Sequence, residues 1–291
     1  MFKLKADIFL LFTLALGMIF LFSSCAFKSV TRSKDIVYLK ADTTTHTSAE
    51  KLNVFAPRKH TQLKDVLIFI HGGNWNSGKK GLYSFFGNRF ARKGIVTVII
   101  DYPLSPKANY NKMAMDAAIA VKWVKEHIAT YGGDPNKIFI SGHSAGGHLA
   151  ALISIDNHYF DTIGIKNPIK GAIFIDAAGL DMYGYLKTEG LPSGHTYFTT
   201  FTTDPAIWKQ ASPMYHLHTG MPPILIYQGE KTYPSIAQSN DRFLTAIKEY
   251  VPDQQRHILK RKKHIPMITQ FFNPYNKRYK EIIQFMNHTD Q

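Results

Sequence analysis

The chain has 291 residues, 45% of them hydrophobic and 13% aromatic, which is enough apolar material for one large α/β core and too much for a disordered chain. Lysine and arginine outnumber aspartate and glutamate by 35 to 21, a formal charge of +14 compatible with anionic-polymer or membrane-surface contact. No helix-turn-helix, paired-cysteine zinc pattern or RNA-binding aromatic signature accompanies that charge, so no nucleic-acid partner is expected.

At the N-terminus, Lys3 and Lys5 precede an apolar run over 8–22, the layout of a secretory signal. Cys25 follows directly and is the single cysteine of the chain, which rules out an intramolecular disulfide. The segment resembles a bacterial lipoprotein signal, with Phe22 departing from the usual leucine; an ordinary cleaved signal and an uncleaved anchor with an incidental cysteine are the alternatives. On that reading residues 1–24 are removed before Cys25, residues 25–35 form a tether, and 36–291 form the catalytic domain. A lipidated Cys25 would hold the exported protein at a membrane surface of the bacterial cell envelope, each buried methylene contributing about 0.8 kcal/mol.

Beyond the tether, short β-branched runs alternate with longer amphipathic segments, the pattern of a mostly parallel sheet covered by helices. Eight strands are expected, at 36–40, 51–55, 66–70, 96–100, 137–140, 171–175, 223–227 and 256–259. Residues 111–131 carry Met115, Ala118, Val121, Val124 and Ile128 at helical spacing and stop at Gly132-Gly133; 238–250 and 274–286 read as further helices. Residues 180–218 lack clear periodicity and are rich in aromatics, which makes them a long connection or small cap-like insertion. The basic run Lys260-Arg261-Lys262-Lys263 reads as a solvated strand edge or loop.

The strand at 137–140 runs into Ser141-Gly142-His143-Ser144-Ala145-Gly146-Gly147-His148 and then an apolar helical start. This is the strand, sharp turn and helix setting of Gly-x-Ser-x-Gly, in which glycines permit the strained turn and the serine hydroxyl is left exposed at a helix N-terminus. Ser144 is therefore the candidate nucleophile. A Walker lysine is absent and the glycine spacing does not fit a dinucleotide site. Upstream, the strand at 66–70 ends in His71-Gly72-Gly73-Asn74-Trp75, a loop of the kind that supplies an oxyanion-hole N–H. Gly73, with Gly72 beside it, and Ala145 are the expected donors.

The run from Asp134 through Ala151, with Asp101-Tyr102-Pro103-Leu104-Ser105-Pro106, resembles the esterase/lipase branch of the α/β-hydrolase superfamily, near its feruloyl-esterase-like and hormone-sensitive-lipase-like groups. Pro103 stands where that branch carries arginine. The resemblance covers roughly 36–288 and implies an eight-stranded α/β-hydrolase sheet with helices on both faces. It also implies a carboxylesterase-type acyl-enzyme reaction on short-chain or aryl esters, free or polysaccharide-linked, that requires no cofactor. An arylformamidase-like amide hydrolase and a non-catalytic binding module on the same fold are the alternatives.

The family order of nucleophile, acid and histidine puts the base after the last strand, where His264 sits; His257 and His288 compete less well. The acid should follow the strand at 223–227, but Thr232 occupies the position where relatives commonly carry a carboxylate. Glu230, two residues earlier, is the first candidate, ahead of Asp176 and Asp181, with a Ser-His dyad as the remaining possibility. Trp75 and His143 are expected at the substrate pocket, His143 near its mouth. Tyr183, Tyr185, Tyr197, Phe198, Phe201 and Trp208 either join Trp75 in lining it or pack a cap. His143 and His148 lack the carboxylate cluster a metal set requires, so no metal is expected.

Overall fold

The computed structural model describes residues 30–42, 44, 48–58 and 61–289. The expected signal segment, Cys25 and the first part of the expected tether lie outside these residues. Eight strands form one sheet: β1 (Val30–Leu39), β2 (Glu50–Pro57), β3 (Lys64–Ile70), β4 (Val96–Ile100), β5 (Gly133–His143), β6 (Ile169–Ile175), β7 (Ile224–Lys231) and β8 (Arg256–Lys263). Their order is β1-β2-β4-β3-β5-β6-β7-β8, antiparallel from β1 through β4 and parallel from there to β8. All eight expected strands are present. β1 starts earlier than expected, taking Val30 to Asp35 out of the tether; Val30 to Ser33 pair along β2, and the register shifts between Ser33 and Ile36.

Period-two alternation in the central strands divides the core between the two faces. Val66, Ile68 and Ile70 of β3 point to one face with Val96, Val98, Ile138 and Ile140. Leu67 and Phe69 point to the other with Ile99, Phe139, Ile173 and Ile175. Helices α2 (Tyr110–His127), α3 (Ala145–Ile155) and α8 (Pro234–Ile247) cover the first face; α1 (Ser84–Ala91), α9 (His264–Thr269) and α10 (Arg278–His288) cover the second. A short α4 (His158–Thr162) follows α3.

The aromatic stretch between β6 and β7 folds into three short helices, α5 (Met182–Thr188), α6 (Thr196–Phe201) and α7 (Pro205–Gln210), and a 3₁₀ turn at Pro213–His216. None is long enough to present a readable periodicity, but two begin at capping aspartates. Asp181 Oδ1 accepts from Gly184 N–H at 2.8 Å, and Asp204 Oδ1 accepts from Ala206 N–H at 2.8 Å with Pro205 next in line. The loops after β3, β5, β6 and β8 therefore open at the C-terminal ends of parallel strands, the side where such sheets hold ligands.

Candidate active site

β5 delivers Ser144 into a turn with φ 56° and ψ −124°, after which α3 begins at Ala145. A non-glycine residue held there stores about 1–3 kcal/mol of strain, so the surroundings must fix it. Ser144 N–H donates to Ile175 O at 3.2 Å, and Ser144 O accepts from His148 N–H and Ala178 N–H, both at 3.1 Å. The flanking glycines are steric necessities. A Cβ on Gly142 would lie 2.1 Å from Gly146 O, and one on Gly146 would lie 2.2 Å from Ile70 O. Ser144 stays partly exposed between buried His143 and Ala145.

His264 arrives at the first position of α9, with its ring stacked on His143 at 4.6 Å and tilted over Tyr233 at 5.1 Å. Its Nδ1 lies 2.6 Å from Asp176 Oδ2. Asp176 is the residue after β6, next to the Ile175 carbonyl that Ser144 N–H bonds, so the serine turn and the carboxylate share one strand end. Asp176 is fully buried, and burial of a carboxylate requires donors around it. Gly229 N–H donates to Oδ1 at 2.8 Å, and Thr232 Oγ1 makes a short hydrogen bond to Oδ2, the oxygen that faces His264.

Glu230, the first candidate from sequence, is not brought to His264. β7 continues past Tyr227 to Lys231, and the pleat leaves Glu230 exposed on the side of β8. The β7–β8 register shifts between Gly229 and Lys231, and Arg261 opposite is at φ 61°; the Arg261 N–H released by this irregularity donates to Glu230 Oε2 at 2.7 Å. Asp181 is committed elsewhere too, paired with Arg242 and capping α5. Of the three carboxylates weighed, Asp176 is the one on the histidine.

The loop after β3 stands against the serine turn: a Cβ on Gly72 would fall 2.8 Å from His143 O and 3.1 Å from Ser144 Cβ. Gly73 follows at φ 135°, and its carbonyl accepts from the Asn76 and Ser77 N–H groups and from the Ser77 hydroxyl, which ties the loop into a tight turn. Ala145, first in α3, has no intrahelical acceptor for its N–H. Asn74 and Trp75 come next at φ 52° and 59°. Tyr197 OH donates to Asn74 Oδ1 at 2.8 Å, and Trp75 Nε1 donates to His148 Nδ1 at 3.1 Å. His148 Nε2–H in turn donates to Ala211 O at 2.7 Å, so both ring nitrogens are committed and the imidazole is neutral; complete burial pushes it down to about 4. A structural role in the helix is what the sequence suggests for His148, and the structure gives it one; its partners Trp75 and Ala211, distant in sequence, are what the sequence does not show.

Trp75 is 2% exposed and packs edge-on against His148, Tyr197 and Phe201. It also borders a cavity of about 30 Å³ with Ala178, Gly179, Tyr185, Tyr197 and Ser235. Phe201 and Trp208 are buried as cap packing, and Phe198 stacks on Trp208 at 6.2 Å. Tyr183 lies under the Lys187 and Lys209 ammonium groups. His143 is not at a pocket mouth. It is 2% exposed beneath His264, and its Nε2–H donates to His264 O at 3.2 Å. Burial, then the neighbouring His264, pushes His143 down to about 3, so it is a neutral prop under the second ring. Among the described residues, no three His, Cys, Asp or Glu side chains gather as a metal set would.

A family model described as BD-FAE matches residues 52–242. The chain is 25% identical over 239 residues to the probable isoprenylcysteine alpha-carbonyl methylesterase ICMEL1 of Arabidopsis thaliana, covering 76% of this chain and 49% of that protein. It is 30% identical over 192 residues to Esterase LipQ of Mycobacterium tuberculosis, covering 62% of this chain and 45% of that protein. The chain thus spans about half the length of these curated relatives. A truncated carbohydrate esterase from gut microbiota shares the fold, with a TM-score of 0.75 at 18% identity over 89% of this chain and 96% of that one. The match over most of the sheet, on the residues that build the serine turn and its neighbouring loop, makes this chain a member of the BD-FAE family.

Proposed function

We propose that the protein is a serine hydrolase that cleaves carboxylic esters through an acyl-enzyme on Ser144. The observation that carries this reading is the His264 Nδ1 to Asp176 Oδ2 contact of 2.6 Å beside a serine held at φ 56°. His264 Nε2 takes the Ser144 proton as Oγ attacks the ester carbonyl, and the negative charge that forms on the carbonyl oxygen is met by the Ala145 and Gly73 N–H groups, with Gly72 beside them. His264 then returns the proton to the leaving alcohol, and water releases the acyl group by the same sequence. Asp176 remains a carboxylate throughout, holding the tautomer with the proton on Nδ1 and stabilising the imidazolium.

The esterase names of the similar proteins support the ester class. A panel of p-nitrophenyl esters tests this: turnover is expected to be highest for acetate to butyrate and to fall with chain length. Turnover of an aryl formamide with none of the esters would replace this reading by the amide one.

We also propose export and lipidation at Cys25, which would hold the enzyme on the cell-envelope membrane. The reading is supported by Lys3, Lys5, the apolar run over 8–22 and the lone cysteine after it. Detergent partitioning tests it. Wild-type protein is expected in the detergent phase and Cys25→Ser in the aqueous phase; a Cys25→Ser protein that stays with the membrane, uncleaved, contradicts it.

A further inference from the structure

We propose that Thr232 is the positioning residue that seats the Asp176 carboxylate against His264. The inference rests on the reading of Ser144, His264 and Asp176 as a triad. One oxygen of Asp176, Oδ2, accepts from both Thr232 Oγ1 and His264 Nδ1, while Gly229 N–H holds the other oxygen at 2.8 Å. Because Asp176 is fully buried, these donors and not water set its rotamer. Thr232 N–H closes a turn onto Gly229 O at 3.2 Å, so one turn after β7 places both the amide and the hydroxyl that grip the carboxylate. Glycine is required at 229, since a Cβ there would lie 2.6 Å from Lys262 O.

Two donors on one oxygen are neighbours around that oxygen, so the end of the side chain at 232 and the His264 Nδ1–H converge on the same point. A hydroxyl at 232 can orient the carboxylate but cannot supply its charge. The cost of removing the hydroxyl falls on the transition state, where the imidazolium needs Asp176 aligned, and spares ground-state binding.

The test is steady-state turnover of a short p-nitrophenyl ester by the full chain. Thr232→Val is expected to lower kcat about 10- to 100-fold with KM changed less than about threefold, and Thr232→Ser to restore most of it. Wild-type kcat in Thr232→Val, or equal loss in the serine and valine variants, would overturn the positioning role. Fluorophosphonate labelling separates these failures from failure of the triad reading: if wild-type Ser144 is not labelled, the triad is wrong, whereas if it is labelled and Thr232→Val is unaffected, only this inference falls. Should Thr232→Val fail to fold, Thr232→Ala takes its place, with the same loss in kcat expected and wild-type kcat overturning the role.

Discussion

His264 Nδ1 lies 2.6 Å from Asp176 Oδ2, while the Glu230 carboxylate accepts from Arg261 N–H at 2.7 Å. This division of partners predicts opposite results for two charge-removing substitutions. Asp176→Asn should lower kcat by about 10⁴-fold, the scale on which serine-hydrolase triads depend on the orienting carboxylate. Glu230→Gln should stay within about twofold, since exposed charges away from the reacting atoms contribute little. Parallel kcat measurements on one ester check both; the reverse pattern would return the acid role to Glu230.

Gly146→Ala places a Cβ 2.2 Å from Ile70 O, backbone against backbone, with no flexible side chain to yield. Relief requires α3 to move away from β3, which carries Ala145 N–H out of line. Overpacking of this kind costs about 1–3 kcal/mol or more, and loss of an oxyanion donor lowers kcat by about 10²-fold or more. Urea unfolding and turnover of the same preparation measure the two effects separately.

Trp75→Phe keeps much of the edge-on packing against Phe201 and Tyr197 but removes the donor to His148 Nδ1. A fully buried acceptor is then left empty, at a cost of about 1–3 kcal/mol. Because Asn74 and Trp75 both hold positive φ next to Gly73, the loop should also relax, lowering kcat more than it raises KM. A variant with wild-type stability and kcat would show that the Trp75–His148 bond does not hold the loop.

Acid should weaken the fold through His148. Its imidazole is held at about 4 in the folded chain against an ordinary 6.5, because burial penalises the charged ring. Between those values the unfolded chain binds a proton that the folded chain does not, so stability is full above about 6.5 and drains away as pH falls toward 4, by on the order of 3 kcal/mol. His143, pushed down to about 3, acts in the same direction. The urea midpoint should therefore drop steadily from pH 7 to pH 4.5, and His148→Gln should flatten that slope.

The sheet was legible because each central strand is a compact β-branched run and because the serine turn announces itself through three glycines with steric reasons to be there. The cap was not, since its helices are single turns or two and their order comes from aromatic packing around Trp75. His264 could be placed from chain order alone. The carboxylate could not, because the choice between Glu230 and Asp176 turns on a register shift opposite Arg261 and on whether β7 ends at Tyr227 or continues to Lys231. Neither feature has a local residue signature. Thr232 was visible in the sequence as a residue without the expected charge; its hydroxyl bond to Asp176 emerges only from the folded strand ends.

The most direct test of the account is the mass of the protein and of its Ser144 peptide after incubation with a fluorophosphonate. Stoichiometric addition of one phosphonyl group on Ser144, abolished in Ser144→Ala and strongly slowed in His264→Ala, is the predicted result. An adduct of equal yield in Ser144→Ala would show that the nucleophile lies elsewhere and would contradict the mechanism proposed for this fold.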